Sequence, residues 1–208
     1  MSIDCWLDDP VVPREPIKRI KGRSITDRIH DYTVIDIETT GGFTDCEIIE
    51  LAAVRVRNDK ITDTFSQLVK ASEPLPPFIV NLTGIDDAML ADAPPIADVL
   101  PRFLDFVGND VLLGHNVASF DSNIIYDNCA KLGLRRFDND MLDTLRYVRR
   151  CDTGSPDNKL TTLTAYYKID HENAHRALAD CIANHKLYQI IRDMYNGTEK
   201  KCIADNDT

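Results

Sequence analysis

The chain lacks any paired-cysteine motif. Its six cysteines, at positions 5, 46, 129, 151, 181 and 202, form no C-x-x-C pair. That argues against a cysteine zinc site and a disulfide framework, and suits a reducing, cytoplasmic setting. Several are expected to be small buried apolar residues. No apolar run approaches the roughly 20 residues that a membrane helix needs, so no membrane partner is expected. The N-terminus, MSIDCWLDDPVVPREPIK, has no basic start followed by an apolar block, so no signal peptide is expected. A basic excess is missing too: 24 Lys and Arg stand against 34 Asp and Glu, a net charge of −10. This excludes a broad electrostatic grip on duplex nucleic acid, which works by neutralising phosphates. It leaves room for an enzyme whose carboxylates hold cations and whose substrate contact is small and local.

What is present fits one domain of 208 residues, large enough for a real core. Residues 1–30 read as an arm, with prolines at 10, 13 and 16 and a locally basic stretch from Arg14 to Arg28. That stretch suits either a nucleic-acid or partner contact or, more simply, a solvated tail. The folded domain is expected over 31–196 and a polar tail over 197–208. Tyr32 to Ile37 is β-branched and aromatic and is followed by Gly41-Gly42, the pattern of a buried strand and a turn. IIELAAVRVR (48–57) and ITDTFSQLV (61–69) give two more strands joined by the hairpin-length turn Asn58-Asp59-Lys60. EPLPPF is a loop, and PIADVLPRFLDFVG has helical spacing weakened by Pro101. DVLLGHN is a fourth strand, FDSNIIYDNCAKLG an amphipathic helix stopped by Gly133, and MLDTL a fifth strand. LTTLTAYYK is a short helix, and Ala174 to Tyr195 a long one. Three strands in a row, then strands alternating with helices, predict an α/β fold: a central mixed five-stranded sheet flanked by helices.

Asp36 and Glu38 stand two apart at the end of the first strand, which puts both side chains on one face. The spacing alone is weak, since Asp45/Glu47, Asp138/Asp140, Asp170/Glu172 and Asp205/Asp207 share it. Context distinguishes them: only Asp36/Glu38 lies in an apolar strand, where two like charges are costly without a cation. No lysine or arginine occurs between Arg28 and Arg55 to supply one, so a metal ion is the better reading. Asp121, opening the helix after GHNVASF, reads equally as a helix N-cap or as a third metal ligand. Asp180 lies off the apolar stripe of the last helix, facing solvent or a cleft.

His171-Glu172-x-x-His175 spells the zinc-protease motif H-E-x-x-H. That chemistry needs a helix through DHENAH, yet Asp, His and Asn are middling helix formers and no apolar periodicity runs through 168–174. The position six beyond His175, where some families place a third histidine, is Cys181. The motif is read as a coincidence.

Together VIDIETTG, NLTGI, GHNVASFD, DTL and AHRALADC, in this order from about Tyr32 to Tyr195, resemble the DEDDh exonucleases, in particular the proofreading exonuclease of bacterial DNA polymerase III, epsilon-subunit or PolC type. The resemblance implies an RNase H-like fold and removal of nucleotides from a 3′ end. By the family pattern Asp36, Glu38, Asp121 and Asp180 bind metal and His175 is the catalytic base. Thr39, Thr40 and the segment from Leu82 to Ile85 meet the terminal nucleotide, and Asn116 and Phe120 lie near the scissile end. One residue more stands between His115-Asn116 and Asp121 than in the commonest family spelling.

The implied chemistry is coherent. Carboxylates and water are the hard oxygen ligands that Mg²⁺ or Mn²⁺ prefer. Two such ions about 4 Å apart can serve both the attacking water and the departing 3′ oxygen, with His175 taking the water's proton. Positions five apart on one helix diverge by about 140°, so His175 is expected on a loop or loose first turn and Asp180 inside the helix. Phe43, Leu82 and Ile85 could wedge or stack against bases, with core packing the plainer role for the two aliphatics. Arg135, Arg136, Arg146, Arg149 and Arg150 could touch phosphates, although a solvated face is the plainer role. The expected partner is a single-stranded or frayed 3′ end, DNA before RNA, with a DNA polymerase as a candidate protein partner. The alternatives are an RNA 3′ exonuclease of the same family, a non-catalytic nucleic-acid-binding module and, last, a zinc hydrolase.

Overall fold

The structure is a computed structural model that describes residues 18–42, 46–151 and 153–204. Strands β1 (Tyr32–Thr39), β2 (Ile48–Arg57) and β3 (Lys60–Leu68) form an antiparallel meander. Asn58 and Asp59 both take positive φ in the two-residue link between β2 and β3, as a tight primed hairpin turn requires. Two short strands, β4 (Leu112–Gly114) and β5 (Met141–Asp143), then add parallel to β1, so the sheet is mixed and runs β3-β2-β1-β4-β5.

Residue parity sorts the sheet into two faces. Ile35 and Ile37 of β1, with Leu51 and Ala53 of β2, pack under α3 (Ile96–Val107) and α4 (Asp121–Lys131). Tyr32 and Val34, with Ala52, Val54 and Val56, pack under α5 (Thr144–Val148), α6 (Leu160–Tyr166) and α7 (Ala177–Ala204). The even positions Asp36, Glu38 and Glu50 therefore belong to the face that α7 covers. A third apolar cluster joins Ile49 to α1 (Pro77–Thr83) and α2 (Asp87–Leu90).

Several local expectations are refined. The loop expected at EPLPPF ends in α1, with Pro77 at its first turn, where a missing N–H costs nothing. Pro101 sits inside α3 without ending it. The third strand is exposed along most of its length because it is the sheet edge, so its alternation marks only a shallow inner face around Phe65. The long helix starts at Ala177 rather than Ala174, because Asn173 and His175 take left-handed backbone conformations; it continues to Ala204, past Gly197.

The basic segment is no solvated tail over its described part. Ser24 bridges in parallel to Met141, with Met141 N–H donating to Arg23 O and Ile25 N–H to Met141 O. Arg19 pairs with Asp127, Arg23 with Asp140 and Arg28 with Asp193. Three of the segment's arginines thus meet the domain's own carboxylates, and Lys21 donates to the Ala118 carbonyl. Cys129 and Cys181 are buried, as the plain reading of free cysteine expects, and no helix among the described residues is long and apolar enough to cross a membrane.

Candidate active site

The site lies at the C-terminal end of β1, where a register shift between Glu38 and Thr39 interrupts the pairing with β2. Such irregularities re-aim side chains at a sheet's rim. One carboxylate oxygen from each of Asp36, Glu38 and Asp180 lies within 4.8 Å of the others. Glu38 also stands opposite Glu50 in the antiparallel register. Burial raises the Asp36 carboxyl well above the usual carboxylate range, with further contributions from Asp121, Asp180, Glu38 and Glu50. Glu38 is pushed up to about 8, by burial first and then by Asp180, Glu50 and Asp121. Asp121 is raised to about 7 by burial, although backbone N–H groups, its own and that of Ile37, pull it down. A cluster that resists ionising in this way calls for a cation. The donor set, carboxylate oxygens alone, fits a hard divalent ion.

Helix α7 brings Asp180 to this face, and Glu50 fixes the helix there. Glu50, 1 % exposed, accepts from Arg176 Nη2 at 2.9 Å and Nε at 3.2 Å, and from the Ala177 N–H at 3.0 Å. A carboxylate at a helix N-terminus also meets the positive end of its dipole. Just before the helix, His175 has φ +67° and its N–H donates to Asp180 Oδ1 at 3.3 Å. The five-residue spacing is thus resolved as geometry demands, with His175 off the helix and Asp180 in its first turn.

Asp121 is the first residue of α4. The N-cap position is Phe120, without a side-chain cap, so the N-cap alternative for Asp121 does not hold. The preceding loop is shaped by Gly114, whose added Cβ would fall 2.6 Å from Val117 Cβ and 3.1 Å from Ile35 O. Asn116 takes φ +66°. Asp143, at the end of β5, accepts the N–H groups of Asn116 and Leu145 on Oδ1 and that of Ala118 on Oδ2.

A cleft of about 470 Å³ opens beside the carboxylates, lined by His115, Asn116, Arg149, Lys159, His175 and Asp180 among others. Of the remaining expected contacts, Thr39 donates to Gly41 O, and Thr40 exchanges bonds with Glu47 across the loop. Leu82 is 48 % exposed on α1, whereas Ile85 is fully buried against Ile49 and Leu75. Of the two roles open to these aliphatics, Ile85 takes the plainer one, core packing, so its side chain is not available as a wedge, whereas that of Leu82 is exposed. Phe120 is partly buried against the core beside α4. Phe43 lies outside the described residues. Arg135 donates to Leu104 O and Gly108 O and Arg146 to Ser24 Oγ, while Arg149 reaches the cleft.

The H-E-x-x-H reading fails structurally, since residues 172–175 are turns and Glu172 is exposed. His171 nevertheless reaches the site: its Nε2 bonds Asp180 Oδ1 and its Nδ1 bonds Thr164 Oγ1. Glu50, Asp143 and His171 belong to this site although the sequence pattern does not single them out. Glu50 was detectable as a lone acid in an apolar strand and Asp143 as part of the DTL block, whereas nothing but the distrusted motif marked His171.

An RNase H-like mixed sheet carrying clustered carboxylates at the end of its first strand, with a histidine preceding the helix that completes the cluster, defines a class of phosphodiester hydrolases. Within that class the chain belongs to the exonuclease family, whose pattern matches residues 33–188, in agreement with the resemblance read from its motifs. It is 40% identical over 185 residues to the DNA polymerase III PolC-type of Caldanaerobacter subterraneus subsp. tengcongensis, covering 88% of this chain and 12% of that protein. A second PolC-type polymerase, from Listeria welshimeri, is 40% identical over 164 residues, 78% of this chain and 11% of the relative. The chain thus spans about a tenth of the length of these curated relatives. Among solved structures, E. coli exonuclease I in complex with a dA16 oligonucleotide aligns with a TM-score of 0.71 at 22% identity, covering 80% of this chain and 41% of that one. Exonuclease X in complex with 5′ overhanging duplex DNA aligns with a TM-score of 0.63 at 30% identity, covering 77% and 90%.

Proposed function

We propose that this chain is a divalent-metal-dependent 3′–5′ exonuclease that releases nucleoside 5′-monophosphates from single-stranded or frayed DNA ends. The observation that carries the reading is the gathering of Asp36, Glu38 and Asp180 from distant parts of the chain into one charge-frustrated cluster beside His175. Asp36, Glu38, Asp121 and Asp180 hold the metal, two Mg²⁺ or Mn²⁺ ions. When bound, such ions polarise the phosphate and make water a better nucleophile at neutral pH. The remaining work falls to the chain's own groups. His175, which lines the cleft, takes the proton from the attacking water. Asn116, Phe120, Leu82 and the backbone at Thr39 and Thr40 hold the terminal nucleotide so that its phosphate faces the carboxylates. Arg149 and Lys159 provide local positive charge along the cleft, consistent with a small contact on an acidic protein.

DNA as substrate is supported by the DNA-bound exonuclease X neighbour, and a DNA polymerase as the setting is supported by the PolC-type relatives. The test is digestion of a 5′-labelled single-stranded DNA with Mg²⁺ or Mn²⁺, beside an RNA of the same sequence. Stepwise shortening of the DNA that His175→Ala abolishes is expected. Preferential loss of the RNA would reassign the substrate, and digestion undiminished by Asp36→Ala would overturn the reading.

A further inference from the structure

The histidine of the discarded zinc motif has partners that the proposed reaction does not use. Lys168, Asn173 and His175 take φ of +57°, +61° and +67°, and the turns they make fold the chain back so that His171 reaches a residue nine positions further on. The His171 side chain is 6 % exposed. Its Nδ1 lies 3.0 Å from the hydroxyl of Thr164 on α6, a residue 1 % exposed; with that hydroxyl donating to Nδ1 rather than to Thr161 O, also at 3.0 Å, the ring proton sits on Nε2. Its Nε2 bonds Asp180 Oδ1, the oxygen that also accepts the His175 N–H. Two donors therefore converge on Oδ1, leaving Oδ2 as the oxygen of Asp180 with free lone pairs. A carboxylate on a helix otherwise has several accessible rotamers, and choosing one on cation binding costs free energy. A buried ring fixed on its far side by Thr164 removes that choice in advance.

We propose that His171 is a positioning residue: held by Thr164, it occupies Oδ1 of Asp180 and presents Oδ2 to the cation shared with Asp36 and Glu38. The inference rests on the metal-dependent reading of the site. It separates the two histidines by role, His171 setting affinity for the ion and His175 acting on the reacting water. Outer partners of metal-binding side chains commonly change affinity by roughly 10–100-fold when removed.

The experiment is calorimetric titration of the whole chain with Mn²⁺ alone, for wild type, His171→Ala, His171→Gln and Thr164→Val, followed by turnover against Mn²⁺ concentration. His171→Ala is expected to weaken Mn²⁺ binding by roughly tenfold or more, and to recover most of its turnover at saturating Mn²⁺. His171→Gln, which retains an N–H donor at comparable reach, is expected to restore affinity, and Thr164→Val to weaken it by a smaller factor. His175→Ala is expected to lose turnover while binding Mn²⁺ as wild type does. A purely structural role for His171 would lower the melting temperature and leave affinity unchanged, and that result in His171→Ala would overturn the proposal. Should His171→Ala fail to fold, unchanged affinity in Thr164→Val would overturn it instead. A wild-type protein that binds no divalent ion would overturn the metal-dependent reading itself, a distinct failure.

Discussion

Asp36 is held on its strand at the expense of its own ionisation. Four other acidic residues, Asp121, Asp180, Glu38 and Glu50, act on its carboxyl, and burial adds the largest penalty. Replacing it with an isosteric neutral group should therefore separate stability from function, as strained functional sites do. Asp36→Asn is expected to lose activity by roughly 10³-fold or more, being asked to replace a ligand of a charge-stabilising ion. In EDTA at pH 8 the same variant is expected to melt above wild type, at roughly 2–4 °C per kcal/mol for a chain of this size. Scanning calorimetry of both proteins in EDTA checks it, and a variant that melts below wild type would show that the cluster is not frustrated. Glu50 carries the opposite expectation. Its carboxylate satisfies Arg176 and the first N–H of α7, so Glu50→Ala leaves a guanidinium and an amide without their partner. A loss of about 3 kcal/mol in denaturant unfolding is expected.

Among the elements, those with a strong local pattern were legible and those defined by remote contacts were not. Alternation in β1, with Gly41-Gly42 behind it, placed the Asp36/Glu38 pair on one face, and the five-residue step from His175 to Asp180 required a break before α7. The role of Glu50 depends on Arg176, 126 positions away, and that of Asp143 on the backbone of a loop 25 and 27 positions back. No window of periodicity contains either relation. His171 is hidden because its four-residue spacing from His175 suggests a helix face, whereas left-handed turns bring it to Asp180. The docking of the N-terminal segment was hidden for another reason. Gly22 looks like an ordinary irregularity in sequence, yet a Cβ there would fall 2.2 Å from Asn139 O, so only glycine permits the close approach to the β5 edge. Gly22→Ala is expected to dislodge this segment and destabilise the protein by roughly 1–3 kcal/mol. Limited trypsin digestion reports on it directly: cleavage after Lys21 and Arg23 should be several-fold faster in the variant, and equal rates would mean that the contact does not hold.

Across the whole molecule, a net charge of −10 and a frustrated carboxylate cluster lead to the expectation that stability depends on both pH and metal. The signs can be worked out group by group. Asp36, Glu38 and Asp121 have folded-state values raised above those of the unfolded chain, Glu38 to about 8 and Asp121 to about 7. Between the ordinary carboxylate range and those values the folded state binds more protons than the unfolded one. The stability they contribute is complete at acid pH and lost as pH rises through about 7 to 8. His115 and His185 work the other way. Burial lowers both, so their effect is a loss of stability as pH falls through the ordinary histidine range. Burial raises the Cys181 thiol, which makes it costly to ionise only near and above the ordinary thiol range. The interval from pH 7 to 8, above the ordinary histidine range and below the ordinary thiol range, therefore reports mainly on the carboxylates. In EDTA the melting temperature is expected to fall by on the order of 5 °C across that interval. Millimolar Mg²⁺ is expected to abolish the fall, because an ion bound only by the folded state both stabilises it by mass action and favours the ionised carboxylates. Melts at both pH values, with and without Mg²⁺, provide the measurement. An equal fall in the presence of Mg²⁺ would mean that the carboxylates meet no cation, and that the charge gathered at the end of β1 is not a metal site.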